Sequence, residues 1–151
     1  MSQLHLPITI LMADDDPDDR FLIHEAFEES KLVHDLRFVK DGEELMDYLY
    51  RRGQYTDPNL SPRPGVILLD LNMPLKDGRE ALKEIKSDLK LRSIPIVVLT
   101  TSKAEEDILY TYELGASSYI TKPTTFDKLM DTIYVIGKYW LEIAELPLKA
   151  S

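Results

Sequence analysis

Cysteine is absent from the sequence. That excludes disulfides and thiolate metal sites, and it suits a reducing compartment. No Lys or Arg precedes Arg20, and no long apolar run stands there either, which argues against a conventional signal peptide. No stretch approaches the length of a membrane span. Positive charge is scarce: 18 Lys and Arg against 27 Asp and Glu leave a formal net charge of -9. A nucleic-acid surface needs clustered cations, so DNA is not an expected partner. The three histidines, His5, His24 and His34, show no ligand spacing. A protein of the cytoplasm, without DNA or membrane as partner, is the expectation.

What remains has ordinary globular proportions, 44% hydrophobic and 30% charged over 151 residues, enough for one domain (1–151) with a sizeable core. The central stretch is Val66-Ile67-Leu68-Leu69-Asp70-Leu71-Asn72-Met73-Pro74. Consecutive apolar residues of this kind read as a strand buried on both faces. Pro74 cannot continue a sheet, so the strand is expected to end near Asp70. Similar runs occur at Ile8 to Ala13 and Ile94 to Leu99, with weaker ones at Asp35 to Lys40 and Ser117 to Ile120. Helical signals separate them. Asp16-Pro17 opens the first helix and Asp41-Gly42 the second. Glu80 to Leu89 carries Ala81, Leu82, Ile85 and Leu89 at core spacing. Ser102-Lys103-Ala104-Glu105 reads as a capping box, and Gly115 stops the helix that follows. Thr124 or Thr125 caps a long last helix, about 125–146, ended by Pro147. Residues 52–65, rich in Pro and Gly, read as a surface-loop insertion. Strand and helix alternate five times, which implies a doubly wound α/β sandwich around a parallel sheet.

In such a fold, ligands bind at the carboxyl ends of the strands. Those ends carry Asp14 and Asp15, then Asp70, Thr100 and Lys122. Three carboxylates in one crevice repel one another, and a hard divalent cation with oxygen ligands relieves this. Lys122 and Thr100 add a positive charge and a hydroxyl donor, a set sufficient to stabilise a phosphoryl group in transfer to an Asp oxygen.

The acidic pair Asp14-Asp15, the segment Asp70-Leu71-Asn72-Met73-Pro74, Gly78, Thr100 and Lys122-Pro123 resemble the receiver domain of two-component response regulators, over about residues 7–140. The resemblance implies the flavodoxin-like (βα)5 fold with a five-stranded parallel sheet. It implies a phosphoacceptor, not an enzyme, taking its phosphoryl group from a histidine kinase onto Asp70. Mg²⁺ (or Mn²⁺) would be held by Asp15, Asp70 and the backbone carbonyl of Asn72, with Asp14 acting through water. Thr100 and Lys122 would contact the phosphoryl group, and Tyr119 would be the aromatic that turns inward when Thr100 moves. The Lys122-Pro123 bond is usually cis in that family. Thr101, where many members have Ala or Gly, and Ser102 flank the pocket and are expected to influence phospho-Asp lifetime. Arg51-Arg52-Gly53-Gln54-Tyr55 and Pro62-Arg63-Pro64 further resemble the response regulators of phytochrome histidine kinases, with this insertion and a lengthened last helix.

That helix has more apolar residues than one stripe needs. Leu129, Ile133, Ile136 and Trp140 suit the sheet, leaving Met130, Tyr134, Leu141 and Ile143 as candidates for a homodimer interface. Little chain follows it, so output is expected through protein contacts at the face of the fourth helix, fifth strand and fifth helix. The alternative function on this fold is a flavin-binding electron carrier, but its first loop needs phosphate-cradling groups where Asp14-Asp15-Asp16 stand. An Asp-nucleophile phosphatase needs a second Asp where Asn72 stands.

Overall fold

The computed structural model describes residues 7–32 and 34–148, so His5 lies outside the described residues. Five strands form one parallel sheet: β1 (Thr9–Ala13), β2 (Asp35–Val39), β3 (Val66–Leu69), β4 (Ile96–Thr100) and β5 (Ser118–Thr121). The helices between them are α1 (Pro17–Ser30), α2 (Gly42–Tyr50), α3 (Gly78–Ser87), α4 (Glu105–Leu114) and α5 (Phe126–Gly137). The strand order is β2-β1-β3-β4-β5, the doubly wound flavodoxin-like order. Its direction reverses between β1 and β3, and the crevice at that switch point is where Asp14, Asp15 and Asp70 emerge.

The continuous apolar runs are explained by burial on two faces. Ile10, Met12, Val66, Leu68, Val97 and Leu99 pack under α1 and α5, with Phe27, Ile133 and Ile136. Leu11, Ala13, Ile67, Leu69 and Val98 face α2 and α3, with Leu45, Leu82 and Ile85. All four residues of β3 are fully buried. At about 2 kcal/mol per large apolar side chain, this strand is a principal stabiliser of the sheet.

The loop after β3 is pinned from both sides by helix starts. Gly78 N–H donates to Leu71 O at 2.9 Å, and Gly42 N–H donates to Lys76 O at 3.0 Å. Neither glycine has room for a side chain: a methyl on Gly78 would lie 2.7 Å from Leu71 Cα and closer still to the Asp70 carbonyl oxygen. Between them, the exposed Leu75 adopts a left-handed φ of 67°. Asp77 caps α3 through a complete capping box with Glu80.

Several expectations change. Leu89 is 70% exposed, because α3 ends at Ser87 and the chain turns before Leu91 and Ile94 re-enter the core. The capping box at Ser102 does not form. Helix α4 starts at Glu105 with Ala104 at its cap position and no side-chain cap, because the Ser102 hydroxyl donates to Asp107 instead. The last helix does not run to 146. Regular α-helix stops at Gly137, a π-helical turn covers Lys138–Ile143, and Ala144 is extended. Of the interface candidates, Met130 and Leu141 are half-buried against the core shared with α1, while Tyr134 and Ile143 stay 47% and 61% exposed. The Lys122-Pro123 bond is trans. The insertion is only partly a surface loop. Ser61, Pro64 and Gly65 are buried, Tyr48 donates to Pro62 O at 2.7 Å, and Ser61 donates to Tyr55 O at 3.0 Å.

Candidate phosphoryl-transfer site

Parallel pairing brings the strand ends into one crevice. Asp14 N–H donates to Val39 O and Asp70 N–H to Ala13 O, each at 3.0 Å, while Lys122 N–H donates to Thr100 O at 2.7 Å. The backbone ladder thereby fixes Asp14, Asp70, Thr100 and Lys122 as neighbours across four strands.

Asp70 is nearly buried, and both its carboxylate oxygens are engaged. Thr100 Oγ1 donates to Oδ1 at 2.8 Å, and Lys122 Nζ donates to Oδ2 at 3.1 Å. Asn72 N–H adds a long bond to Oδ1 at 3.3 Å. Asp14 is completely buried; it accepts from Lys122 Nζ at 2.7 Å and from Asp16 N–H at 2.9 Å. Burial pushes the Asp14 carboxyl above its ordinary value. Bonds from Lys122 and Asp16 and the ammonium charge pull it down, and the Asp70 charge raises it again. For Lys122, burial acts to lower the ammonium, but bonds to Asp14 and Asp19 and the Asp70 and Asp14 charges outweigh it, so it sits above its usual value and stays protonated. Asp15 is exposed at the mouth of the crevice, and carboxylate oxygens of Asp14, Asp15 and Asp70 lie within 4.8 Å of one another.

Three acids so close, with one ammonium among them, fit a hard divalent cation with oxygen ligands. Bound there, such an ion supplies the positive charge that lets an anionic group approach Asp70. The protein's own groups do the rest: Thr100 and Lys122 lie against the two oxygens of Asp70, within reach of the oxygens of a phosphoryl group joined to either one.

The structure brings Asp14, Asp15, Asp70, Asn72, Thr100 and Lys122 together in the crevice. Tyr119 is half-buried beside the α2/α3-side core, its hydroxyl donating to Ser102 O at 3.0 Å. Thr101 is exposed just after β4. Other participants were not anticipated. Asp19, in the first turn of α1, accepts from Lys122 Nζ at 2.8 Å. Arg20 Nη1 donates to Asp14 O at 2.7 Å. Arg79 at the start of α3 grips Asp107 of α4 with two 2.7 Å bonds, and Asp107 also accepts from Ser102. This pair ties the segment after Thr100 to the helix that begins beside Asp70. Asp19 carried one usable signal: from Pro17 at the helix start, its position returns the side chain toward the strand ends.

Comparison with known proteins decides the family. The model of the response regulator receiver domain matches residues 10–134. The chain belongs to the receiver domain family of response regulators. Response regulator Rcp1 of Synechocystis sp. is 43% identical over 141 residues, covering 93% of this chain and 94% of Rcp1. The structure of the phosphorylated cyanobacterial phytochrome response regulator RcpA superposes with a TM-score of 0.87 at 44% identity, covering 93% of this chain and 99% of that one. The Mn²⁺-bound form of Rcp1 gives 0.85 at 42% identity, with the same coverage. Receiver domains take phosphoryl groups from histidine kinases and bind a divalent metal in this acidic pocket, so this receiver is a phosphoacceptor and not an enzyme in the usual sense. The flavin-carrier alternative falls with that membership. Among the described residues, no helix is long and apolar enough to cross a membrane.

Proposed function

We propose that Asp70 accepts the phosphoryl group from the phosphohistidine of a phytochrome-type histidine kinase. The N–P bond of the donor breaks, an O–P bond forms to an Asp70 oxygen, and the donor histidine departs neutral once protonated. The observation carrying this reading is the dual engagement of Asp70, by the Thr100 hydroxyl on one oxygen and the Lys122 ammonium on the other. Mg²⁺ is the proposed ion, held by Asp15, Asp70 and the Asn72 carbonyl, with Asp14 acting through water; the acid trio supports this. The similarity to Rcp1 and RcpA supports the phytochrome partner.

In this reading Thr100 follows the new phosphoryl group and Tyr119 gives up its bond to Ser102, altering the α4/β5/α5 face. Thr101 and Ser102 at the rim set how readily water reaches the acyl phosphate. The receiver forms a cytoplasmic homodimer and signals to protein targets, not to DNA or a membrane. The exposed Tyr134 and Ile143 support a protein interface at the α5 end. The test is phosphotransfer from a phosphorylated phytochrome kinase with Mg²⁺. Wild type is expected to take up label and Asp70→Asn to take up none; equal labelling of the variant would exclude Asp70 as acceptor.

A further inference from the structure

At the opposite end of the sheet from Asp70, a cavity of about 410 Å³ opens between the C-terminus of α2, the insertion and the turn before β4. Tyr50, Arg51, Arg63, Lys90, Leu91 and Ile94 line it. The volume falls within the range of small-molecule sites. Its charge runs against the rest of the chain: three cations gather on a protein of net charge -9, with Asp88 as the acid on that wall.

The two arginines, Arg51 exposed and Arg63 half-buried, are each held by a hydrogen bond to the neighbouring chain and not by a carboxylate. Arg51 follows α2 in a left-handed conformation, φ 56°, and its Nε donates to Ser61 O at 3.2 Å. Arg63 Nη2 donates to Ser93 Oγ at 3.3 Å, while its Nε is buried without a hydrogen-bond partner. Among the described residues, neither guanidinium is paired with a carboxylate. Burial lowers the Arg63 guanidinium, and the Arg51 charge lowers it further, as expected for like charges drawn together without an anion. Asp88 is already committed, its Oδ1 accepting from Lys90 and Leu91 N–H groups at 2.7 and 3.2 Å. Two guanidinium forks and an ammonium suit a dianion, and arginine geometry matches phosphate oxygens. The Tyr50 ring, with a small exposed edge of Leu91, offers apolar contact to whatever carries it. The Asp88 charge disfavours an anionic body.

The geometry points to a second ligand site, for a small phosphomonoester with a flat, uncharged organic body, held by Arg51, Arg63 and Lys90. The site uses residues that precede β3 and β4, so its occupant does not touch the crevice at the other end of those strands.

Adenosine monophosphate serves as the probe, with adenosine and inorganic phosphate beside it, in amide NMR titrations of the full chain. EDTA keeps a cation from drawing phosphate into the acidic crevice. AMP is expected to saturate in the millimolar range or below, shifting Tyr50, Leu91 and Ile94. Adenosine and phosphate each bind at least about tenfold more weakly, as expected when charge and body both contribute. Arg51→Gln and Arg63→Gln each weaken AMP at least about tenfold. Arg63→Lys, which keeps the charge but not the fork, falls between, and urea unfolding confirms that each variant is folded. Phosphotransfer to Asp70 stays at the wild-type level in all three. No saturable shift up to about 10 mM AMP, a level that excludes even millimolar affinity, overturns the site. So do adenosine binding as tightly as AMP, folded glutamine variants that bind as wild type, or shifts centred on Asp14 and Asp70.

Discussion

Gly78 offers a test in which two physical effects oppose each other. It stands at the first position of α3, where Ala has the better helix propensity by about 1 kcal/mol. A methyl there would lie 2.7 Å from Leu71 Cα and within van der Waals overlap of the Asp70 carbonyl oxygen. These neighbours are backbone atoms, which cannot rotate aside, so the overpacking cost falls at the upper end of the usual range, about 3 kcal/mol. Sterics therefore win, and Gly78→Ala is expected to lose about 2 kcal/mol net. With a urea slope of about 2 kcal/mol/M, the unfolding midpoint drops by about 1 M. Relief of the clash requires the Asp70–Leu71 backbone to move, and the 2.8 Å bond from Thr100 to Asp70 goes with it. Phosphotransfer should then fall even where the variant is fully folded. Equilibrium urea unfolding followed by tryptophan fluorescence reads the first effect, and labelling well below the midpoint reads the second. A variant as stable as wild type, or one that is destabilised yet labelled at the wild-type rate, would refute the reasoning.

Two further outcomes are expected. In Asp107, bonds from Arg79 and then Ser102 hold the carboxyl below its ordinary value against its burial, so its stabilisation is complete above about pH 3.8, the unfolded value, and is lost as pH falls through the lower folded one. Asp107→Asn should cost about 2 kcal/mol at neutral pH and progressively less in acid; urea midpoints that differ by the same amount at pH 7 and pH 2 would contradict the pairing. At the α5 end, Tyr134→Ala should shift sedimentation toward monomer at micromolar concentration without lowering the urea midpoint; a wild-type monomer under those conditions would count against a constitutive dimer.

The sheet was legible because its central strands are buried on both faces, and a strand such as Val66–Leu69 leaves no place for polar residues. The site was legible for a related reason. Asp70, Thr100 and Lys122 each interrupt or end a strand at its carboxyl side, where a parallel sheet converges. What escaped was pairing across distance. Asp19 sits where acids commonly favour a helix start, and its partner Lys122 arrives only with β5, 103 residues later. Asp107 stands in the first turn of α4, and its partner Arg79 comes from α3, 28 residues earlier. The Ser102 and Asp77 segments both offer an acid three residues after a capping side chain, Glu105 and Glu80. Asp77 forms the box with its Oδ1, which accepts from Glu80 N–H while Oδ2 faces Arg79 at 3.6 Å, whereas the single hydroxyl of Ser102 is taken by Asp107. Pro147 as the stop sets the end of the last helix too late, since regular α-helix ends at Gly137. The structure instead spends Met130 and Leu141 on its own core and closes the helix with a wider turn.

Lys122 has a consequence for how the chain comes into being. Its ammonium is shared by acids from the end of β1, from α1 and from the end of β3, all of which precede it by 52 residues or more. A chain made from its N-terminus exposes those acids first, and a domain folds as a unit. On the ribosome the acidic crevice therefore lacks its ammonium until residue 122 has emerged, and β5 delivers that charge as the domain closes.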